Sequence, residues 1–280
     1  MGVVGACIAP HGAEVIPELA GKMLESFAET RKSMLKLAEE MKNLCPETIV
    51  LATPHNLRLD STIGVITTES TEGCLEEGNK QIRLHCECDR HLAKEILKTA
   101  KQRNLPVVGV GYGSSDGPAS CMPMDWGTLI PLWFLVGQNK APAVVIVTPT
   151  REVPLKSLVD FGKAIAESAE SLKRQIVFVA SADQGHAHRL DGPYGFSPTS
   201  KEYDGMVVQA IRSNNMKPLL SLSPQFVEKA KPDSLWQIAI LEGVLESVRM
   251  DAHLLSYQVP TYYGLLCAVF KEECRVTPRV

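Results

Sequence analysis

The sequence predicts an α/β protein with one mainly parallel or mixed sheet, covered by helices on both faces, in a single domain over residues 1–280. Three observations carry this. Short, almost wholly apolar runs recur at Val3–Ala9, Thr48–Ala52, Ala143–Thr148 and Gln175–Ala180, as strands buried on both faces require. Longer segments with apolar residues at helical intervals lie between them. No internal repeat, low-complexity tract or Pro/Gly/Ser-rich linker divides the chain. Its 280 residues exceed the commonest domain size, but α/β folds run to about 250 residues as one domain.

The elements follow in order. Val3–Ala9 is a strand that ends in Pro10-His11-Gly12. Leu19, Met23, Phe27, Met34, Leu37, Met41 and Leu44 recur at helical spacing, which predicts a helix over Pro17–Leu44. Thr48–Ala52 is a buried strand ending in Thr53-Pro54-His55-Asn56, and Thr62–Thr67 reads as an edge strand. Arg90–Arg103 is a helix, Val107–Gly111 a strand, Trp126–Val136 an apolar helix and Ala143–Thr148 a strand. Pro154–Leu172 is amphipathic, and Gln175–Ala180 is a strand ending in Ser181-Ala182-Asp183. Ser200–Asn214, Pro224–Lys229 and Ser234–Val248 read as helices, the last capped by Asp233. Ala252–Val259 and Tyr262–Phe270 are closing strands. The stretches Glu69–Glu87 and Gly111–Asp125 read as long loops with a functional role.

Composition narrows the function. The hydrophobic fraction is 45%, the charged fraction 22% and the net charge −3, which points to no nucleic-acid or membrane partner. The eight cysteines read as free thiols, because a chain of this size needs no staples and Cys7 and Cys267 sit within apolar runs. The N-terminal run lacks a basic n-region, and no stretch reaches the roughly 20 apolar residues of a membrane span. Met1-Gly2 begins like a myristoylation signal, but Ala6 stands where Ser or Thr is needed. The expected location is the cytoplasm.

In open α/β sheets ligands bind beyond the carboxyl ends of the strands. His11 follows the first strand and His55 the second, each beside a proline that stiffens its loop. Asp183, His186 and His188 follow a third strand. Rigid loops holding imidazoles at a sheet edge suit a metal, although each histidine taken singly is equally an exposed loop residue. His85-Cys86-Glu87-Cys88 with His91 resembles a zinc cluster, but the cysteine spacing is too short and a second half-site is missing. Gly109–Gly113 lacks the Lys-Ser/Thr of a phosphate loop. Asp191–Phe196 carries two rings, at Tyr194 and Phe196, and is either a pocket lip or an ordinary turn.

Taken together, PHG after the first strand, the Pro-His of TPHN after the second, SADQGH after the third and a late helix with Glu resemble the class III extradiol ring-cleavage dioxygenases, of the type of the catalytic beta subunit of protocatechuate 4,5-dioxygenase. The segments occur in family order over roughly residues 3 to 270. The resemblance implies a non-haem iron(II), with zinc an alternative in isolated protein, held by His11, His55 and Glu242; Glu246, one turn on, is the rival carboxylate. Such a triad leaves positions open for substrate and O₂. The implied substrate is a small aromatic diol or an aminophenol. His186 would be the acid/base, with His188 its alternative, since two residues apart on an extended segment share a face.

Trp126 departs from the pattern. In Met124-Asp125-Trp126-Gly127-Thr128-Leu129-Ile130-Pro131-Leu132 it replaces a histidine that many relatives place near the substrate. That removes a proton-transfer group and adds bulk, which points to a different phenol or to binding without turnover. Trp126, His188 and Tyr194 are the expected substrate contacts. A second possibility is the related Memo family, with metal binding in a redox or signalling role and no ring cleavage. A third is a zinc hydrolase with an activated water. The family also admits a homo-oligomer or a small second subunit.

Overall fold

A computed structural model describes residues 2–137 and 141–272. Its strands are β1 (Val3–Ala9), β2 (Thr48–Ala52), β3 (Ile63–Ile66), β4 (Ser70–Glu77), β5 (Lys80–Glu87), β6 (Val107–Val110), β7 (Cys121–Pro123), β8 (Ala143–Thr148), β9 (Ile176–Ser181), β10 (Asp251–Gln258) and β11 (Leu265–Lys271). Its α-helices are α1 (Ala28–Asn43), α2 (Arg90–Gln102), α3 (Trp126–Val136), α4 (Leu155–Ser171), α5 (Pro198–Arg212), α6 (Pro224–Ala230) and α7 (Leu235–Ser247).

Eight strands form one mixed sheet in the order β10-β11-β1-β9-β2-β8-β3-β6. The four apolar runs become its parallel centre, β1, β9, β2 and β8. β11 and β10 extend the β1 side antiparallel. Helices cover both faces, so both side-chain rows of a central strand are buried. In β9, Ile176, Phe178 and Ala180 join the core under α2, α4 and α7. Val177 and Val179 join the opposite core under α1 and α3. This two-sided burial is why the strands carry no polar alternation.

Four expectations change in kind, beyond shifts of a few residues at other element ends. The helix expected from Pro17 starts at Ala28. Before it come two short 3₁₀ turns, Ala13–Val15 and Gly21–Met23, with Gly21 at φ +50°. The Arg31 guanidinium bonds the free carbonyls of Glu14, Val15 and Leu24 in that stretch, which satisfies acceptors that a helix would otherwise pair. β3 is an interior strand, paired to β8 and β6 and buried throughout. Glu69–Glu87 is mostly the β4–β5 hairpin, turning at Gly78 with φ +59°, and β7 joins it in a second, three-stranded sheet. Finally, Asp233 does not cap α7; the preceding position is Ser234, and neither side chain caps the helix.

α4 and α7 cross with their backbones in contact at Gly162 and Gly243. A Cβ on Gly243 would lie 1.9 Å from the Val159 carbonyl oxygen, and one on Gly162 would lie 2.0 Å from that of Ile240. Neither obstacle is a side chain that can swing away. Gly243→Ala is therefore expected to destabilise the fold by about 3 kcal/mol, at the upper end of overpacking effects, measured by chemical denaturation. A change below about 0.5 kcal/mol would mean that the helices can part there without loss of packing.

Candidate metal centre

β1, β9 and β2 are neighbours in the sheet, so the loops leaving their carboxyl ends emerge side by side. The first delivers His11, the second Asp183 and the third His55. A fourth chain segment reaches the same place: Asp233 pairs through a single bridge with Asp183, its N–H donating to the Asp183 carbonyl at 3.2 Å. This bridge sets the entry to α7 over the sheet edge and turns the Asp233 carboxylate toward the two histidines.

His55 Nε2 lies 2.7 Å from Asp233 Oδ2 and 3.1 Å from His11 Nε2, and His11 Nε2 lies 3.6 Å from that same Oδ2. His11 is 2% exposed. Its tautomer follows from its neighbours. Ser181 Oγ donates its one proton to the Gly127 carbonyl, so it must accept from His11 Nδ1, 3.0 Å away. The neutral ring then presents a bare lone pair at Nε2. The His11 backbone N–H donates to Asp183 Oδ1 at 2.9 Å, and Asp183 Oδ2 stands 3.5 Å from Nε2.

Electrostatics favours positive charge here. Burial disfavours the charged His11 ring, but the carboxylates of Asp183 and Asp233 outweigh it and hold its pKa above the ordinary value. Burial likewise opposes ionisation of Asp233, yet the adjacent His11 and His55 rings pull its carboxyl far below the usual range. Without a metal, protons must fill the gap between the nitrogens and the carboxylate.

The donor set fits a divalent cation. For metal–ligand bonds of roughly 2.1 Å, neighbouring donors sit about 3.0 Å apart in an octahedron and about 3.4 Å apart in a tetrahedron. The separations of 2.7, 3.1 and 3.6 Å span both values. His11, His55 and Asp233 are one of two His/Cys/Asp/Glu groupings of metal-binding size among the described residues. The other, Glu72, His85 and Cys121, has two exposed members and lies on the small sheet. Cys86, from the sequence cluster, instead packs in the core beneath α1 and α3.

Glu242 is not brought to this centre. It lies seven residues past Leu235, the first residue of α7, about 10 Å along the helix axis from that end. Its charged neighbours are Glu246, Lys217 and Lys163, and burial, then Glu246, push its carboxyl upward. Asp233 stands in its place. The glutamate rests on the resemblance alone, and in the sequence the aspartate reads as a helix cap.

The centre opens into a cleft of about 390 Å³ lined by His11, His55, Asp183 and Asp233, with Trp126, His186, Tyr194, Tyr262 and Tyr263 around them. That volume lies in the range of about 300–1,000 Å³ typical of small-molecule sites. Trp126 opens α3, whose first turn is capped by Asp125, the acceptor of the Thr128 N–H. Asp125 also accepts from the Thr53 hydroxyl, just before Pro54-His55. The Trp126 ring lies 4.2 Å from the His55 ring, tilted by 30°. It walls the cleft directly beside the histidine pair.

His186 and His188 part company. The segment bends at His186, so the two rings do not share a face. His186 lines the cleft, stacked on Tyr263 at 5.3 Å with 14° between the rings. Its Nδ1 donates to the Gln184 carbonyl at 2.7 Å, which leaves Nε2 free to accept a proton. His188 turns inward, Nε2 2.9 Å from the Oδ2 of fully buried Asp204. Asp204 also accepts from the Tyr257 hydroxyl and the Gly185 N–H, both at 2.7 Å. His188 thus holds the loop rather than touching the cleft, which corrects its placement among the substrate contacts. His188→Ala is expected to lower stability by about 1–3 kcal/mol, as removal of one partner from a buried hydrogen-bonded group does, and to leave metal content unchanged. An unaltered denaturation midpoint would show that the pair does not hold the loop.

Sequence reasoning missed Asp233, Tyr262, Tyr263, Glu14, Arg58, Arg151 and Lys231, all of which line the cleft. One signal was present. Ser234, next to it, is also a favoured cap type, so the sequence does not commit the Asp233 carboxylate to capping.

A family model described as the catalytic LigB subunit of aromatic ring-opening dioxygenase matches residues 5–269. Protein CA_C1420 of Clostridium acetobutylicum is 24% identical over 259 residues, covering 92% of this chain and 55% of that protein. The chain thus spans about half the length of this curated relative. The crystal structure of the uncharacterized protein JW3007 from Escherichia coli K12 superposes with a TM-score of 0.58 at 12% identity, over 95% of this chain and 99% of that one. It shares the fold.

Proposed function

Because the chain belongs to the family of catalytic LigB subunits of aromatic ring-opening dioxygenases, we propose that it is a non-haem iron(II) dioxygenase acting on a catechol-type or aminophenol substrate. The observation that carries this is the convergence of His11 Nε2, His55 Nε2 and Asp233 Oδ2 at the floor of a cleft with aromatic walls. When bound there, iron(II) would lower the pKa of a chelating hydroxyl and bring substrate and O₂ together.

The protein's own residues do the rest. Ser181 accepts from His11 Nδ1 and so sets the tautomer that offers Nε2, while Asp183 holds the loop by accepting from the His11 backbone N–H. Trp126, its ring 4.2 Å from that of His55, bounds the space in which a planar substrate lies. His186 takes the proton of a substrate hydroxyl at Nε2, because Nδ1 is held by the Gln184 carbonyl. Tyr194 and Tyr262 narrow the mouth and limit water around the ring.

The test is O₂ consumption by the iron(II)-loaded chain with a panel of catechols and aminophenols, together with the appearance of yellow ring-opened products. Uptake that depends on both iron and one of these substrates is expected. Metal binding with no uptake across the panel would overturn the reading. It would favour a Memo-like metal-binding role without turnover, for which the placement of Trp126 is the specific support: an indole carries no proton-transfer group to the cleft.

A further inference from the structure

We infer that the small sheet carries a second metal site, for zinc or another thiophilic divalent ion, held by Glu72, His85 and Cys121 and independent of the ring-opening chemistry. In the sequence, His85-Cys86-Glu87-Cys88 lacks the spacing of a zinc motif. Strand pairing breaks that run apart and builds a different set from it. Alternation along β5 sends Ile82 and Cys86 into the core and leaves Arg83, His85 and Glu87 on the outer face. Glu72 of β4 is the direct partner of His85 across the antiparallel ladder. β7 runs along the other side of β4, with Cys121 opposite Ser70 and Pro123 opposite Glu72. Met122 between them is buried, so Cys121 shares the outer face with Glu72 and His85.

The ligand atoms of the three residues all lie within 4.8 Å of one another. His85 Nε2 stands 3.3 Å from Glu87 Oε1, and His85 Nδ1 stands 3.9 Å from Glu72 Oε2. Glu87 accepts the Nε2 proton, which leaves the Nδ1 lone pair on the Glu72 side. A carboxylate holding the far nitrogen is the usual support of a metal-bound imidazole. Thiolate, imidazole and carboxylate are the donor types of zinc, at bond lengths of about 2.0–2.3 Å. Tetrahedral donors at those lengths sit about 3.3–3.8 Å apart, so small rotations of the exposed Glu72 and His85 side chains close the set. Water takes the fourth position. The thiolate distinguishes this site from the centre at His11, His55 and Asp233: sulfur selects zinc, whereas nitrogen and oxygen donors also suit manganese. The ion also has a mechanical role. β7 leads through Met124, whose N–H donates to the Glu72 carbonyl at 2.7 Å, into Asp125 and Trp126. A metal bridging β4, β5 and β7 fastens the strand that delivers Trp126 to the cleft.

The experiment titrates the full, reduced chain anaerobically with cobalt(II) and follows thiolate-to-cobalt absorption in the near ultraviolet. The centre at His11, His55 and Asp233 has no sulfur donor, so cobalt bound there adds nothing to this band. Wild type is expected to show the band and to lose it when zinc is added. Cys121→Ser is expected to abolish it. Cys74→Ser, which removes an exposed thiol from the same face of β4, is expected to leave it unchanged. His85→Ala, at an exposed position that the fold tolerates, should weaken cobalt binding at the band at least about tenfold, the lower end of the effect of losing a group that merely orients a ligand. Zinc should also raise the midpoint of thermal unfolding further in wild type than in Cys121→Ser. Absence of the band in wild type, its survival in Cys121→Ser, or undiminished cobalt affinity in His85→Ala overturns the inference and leaves the ring-opening reading standing.

Discussion

Asp233→Ala is expected to lower divalent-metal affinity at least a hundredfold, whereas Glu242→Gln leaves it unchanged. The estimate is a floor: loss of a group that merely orients a ligand typically lowers metal affinity 10- to 100-fold, and Asp233 offers the oxygen itself, 2.7 Å from His55 Nε2. Its loss also frees Arg151, whose Nη2 lies 3.2 Å from Asp233 Oδ1, and leaves an unopposed positive charge near the histidines. Glu242 is paired with none of these groups; its surroundings are Glu246, Lys217 and Lys163. The measurement is equilibrium dialysis against a metal buffer, with far-ultraviolet circular dichroism to confirm that both variants fold. Equal affinity in wild type and Asp233→Ala would remove the aspartate from the ligand set. A loss confined to Glu242→Gln would restore the family assignment.

His186→Ala is expected to keep the metal and reduce turnover by about 10²- to 10⁴-fold, the usual contribution of a positioned acid/base. The ring is not held by the centre. It is fixed by the Gln184 carbonyl at one nitrogen and by stacking on Tyr263, so its removal leaves the triad intact. The activity readout is kcat on whichever catechol the panel identifies, alongside metal content. Retained turnover would move proton transfer to another group; the cleft wall also carries the hydroxyls of Tyr194, Tyr262 and Tyr263. His188 is not the substitute, because its Nε2 is committed to Asp204 at 2.9 Å, away from the cleft.

Much of the fold was legible because burial on both faces leaves an unmistakable mark. Val3–Ala9, Thr48–Ala52 and Ala143–Thr148 run as strands over the expected residues, and Trp126–Val136 as a helix. What composition could not show was pairing. Ile63–Ile66 looked peripheral because it is short, yet β6 covers its outer edge. Glu69–Glu87 looked like a loop because its strands are exposed and rich in charge; the β4–β5 register and β7 give it structure.

The two histidines of the centre were legible for the same reason as the strands: each sits within three residues of a strand end, beside a proline. The carboxylate was not, since no sequence pattern says that residue 233 returns to the end of β9. That rests on long-range pairing, the bridge of Asp233 to Asp183 across 49 intervening residues and the His186 N–H bond to the Ala230 carbonyl. The three cations that line the cleft, Arg58, Arg151 and Lys231, were hidden likewise, being far apart in the chain.

The most direct measurement is an anomalous difference map from crystals of the full chain soaked anaerobically with manganese(II), a divalent stand-in for iron(II) that accepts the same nitrogen and oxygen donors. A single strong peak bounded by His11 Nε2, His55 Nε2 and Asp233 Oδ2 is the expected result. A peak beside Glu242, a peak only at Glu72, His85 and Cys121, or no peak at saturating manganese would contradict the assignment.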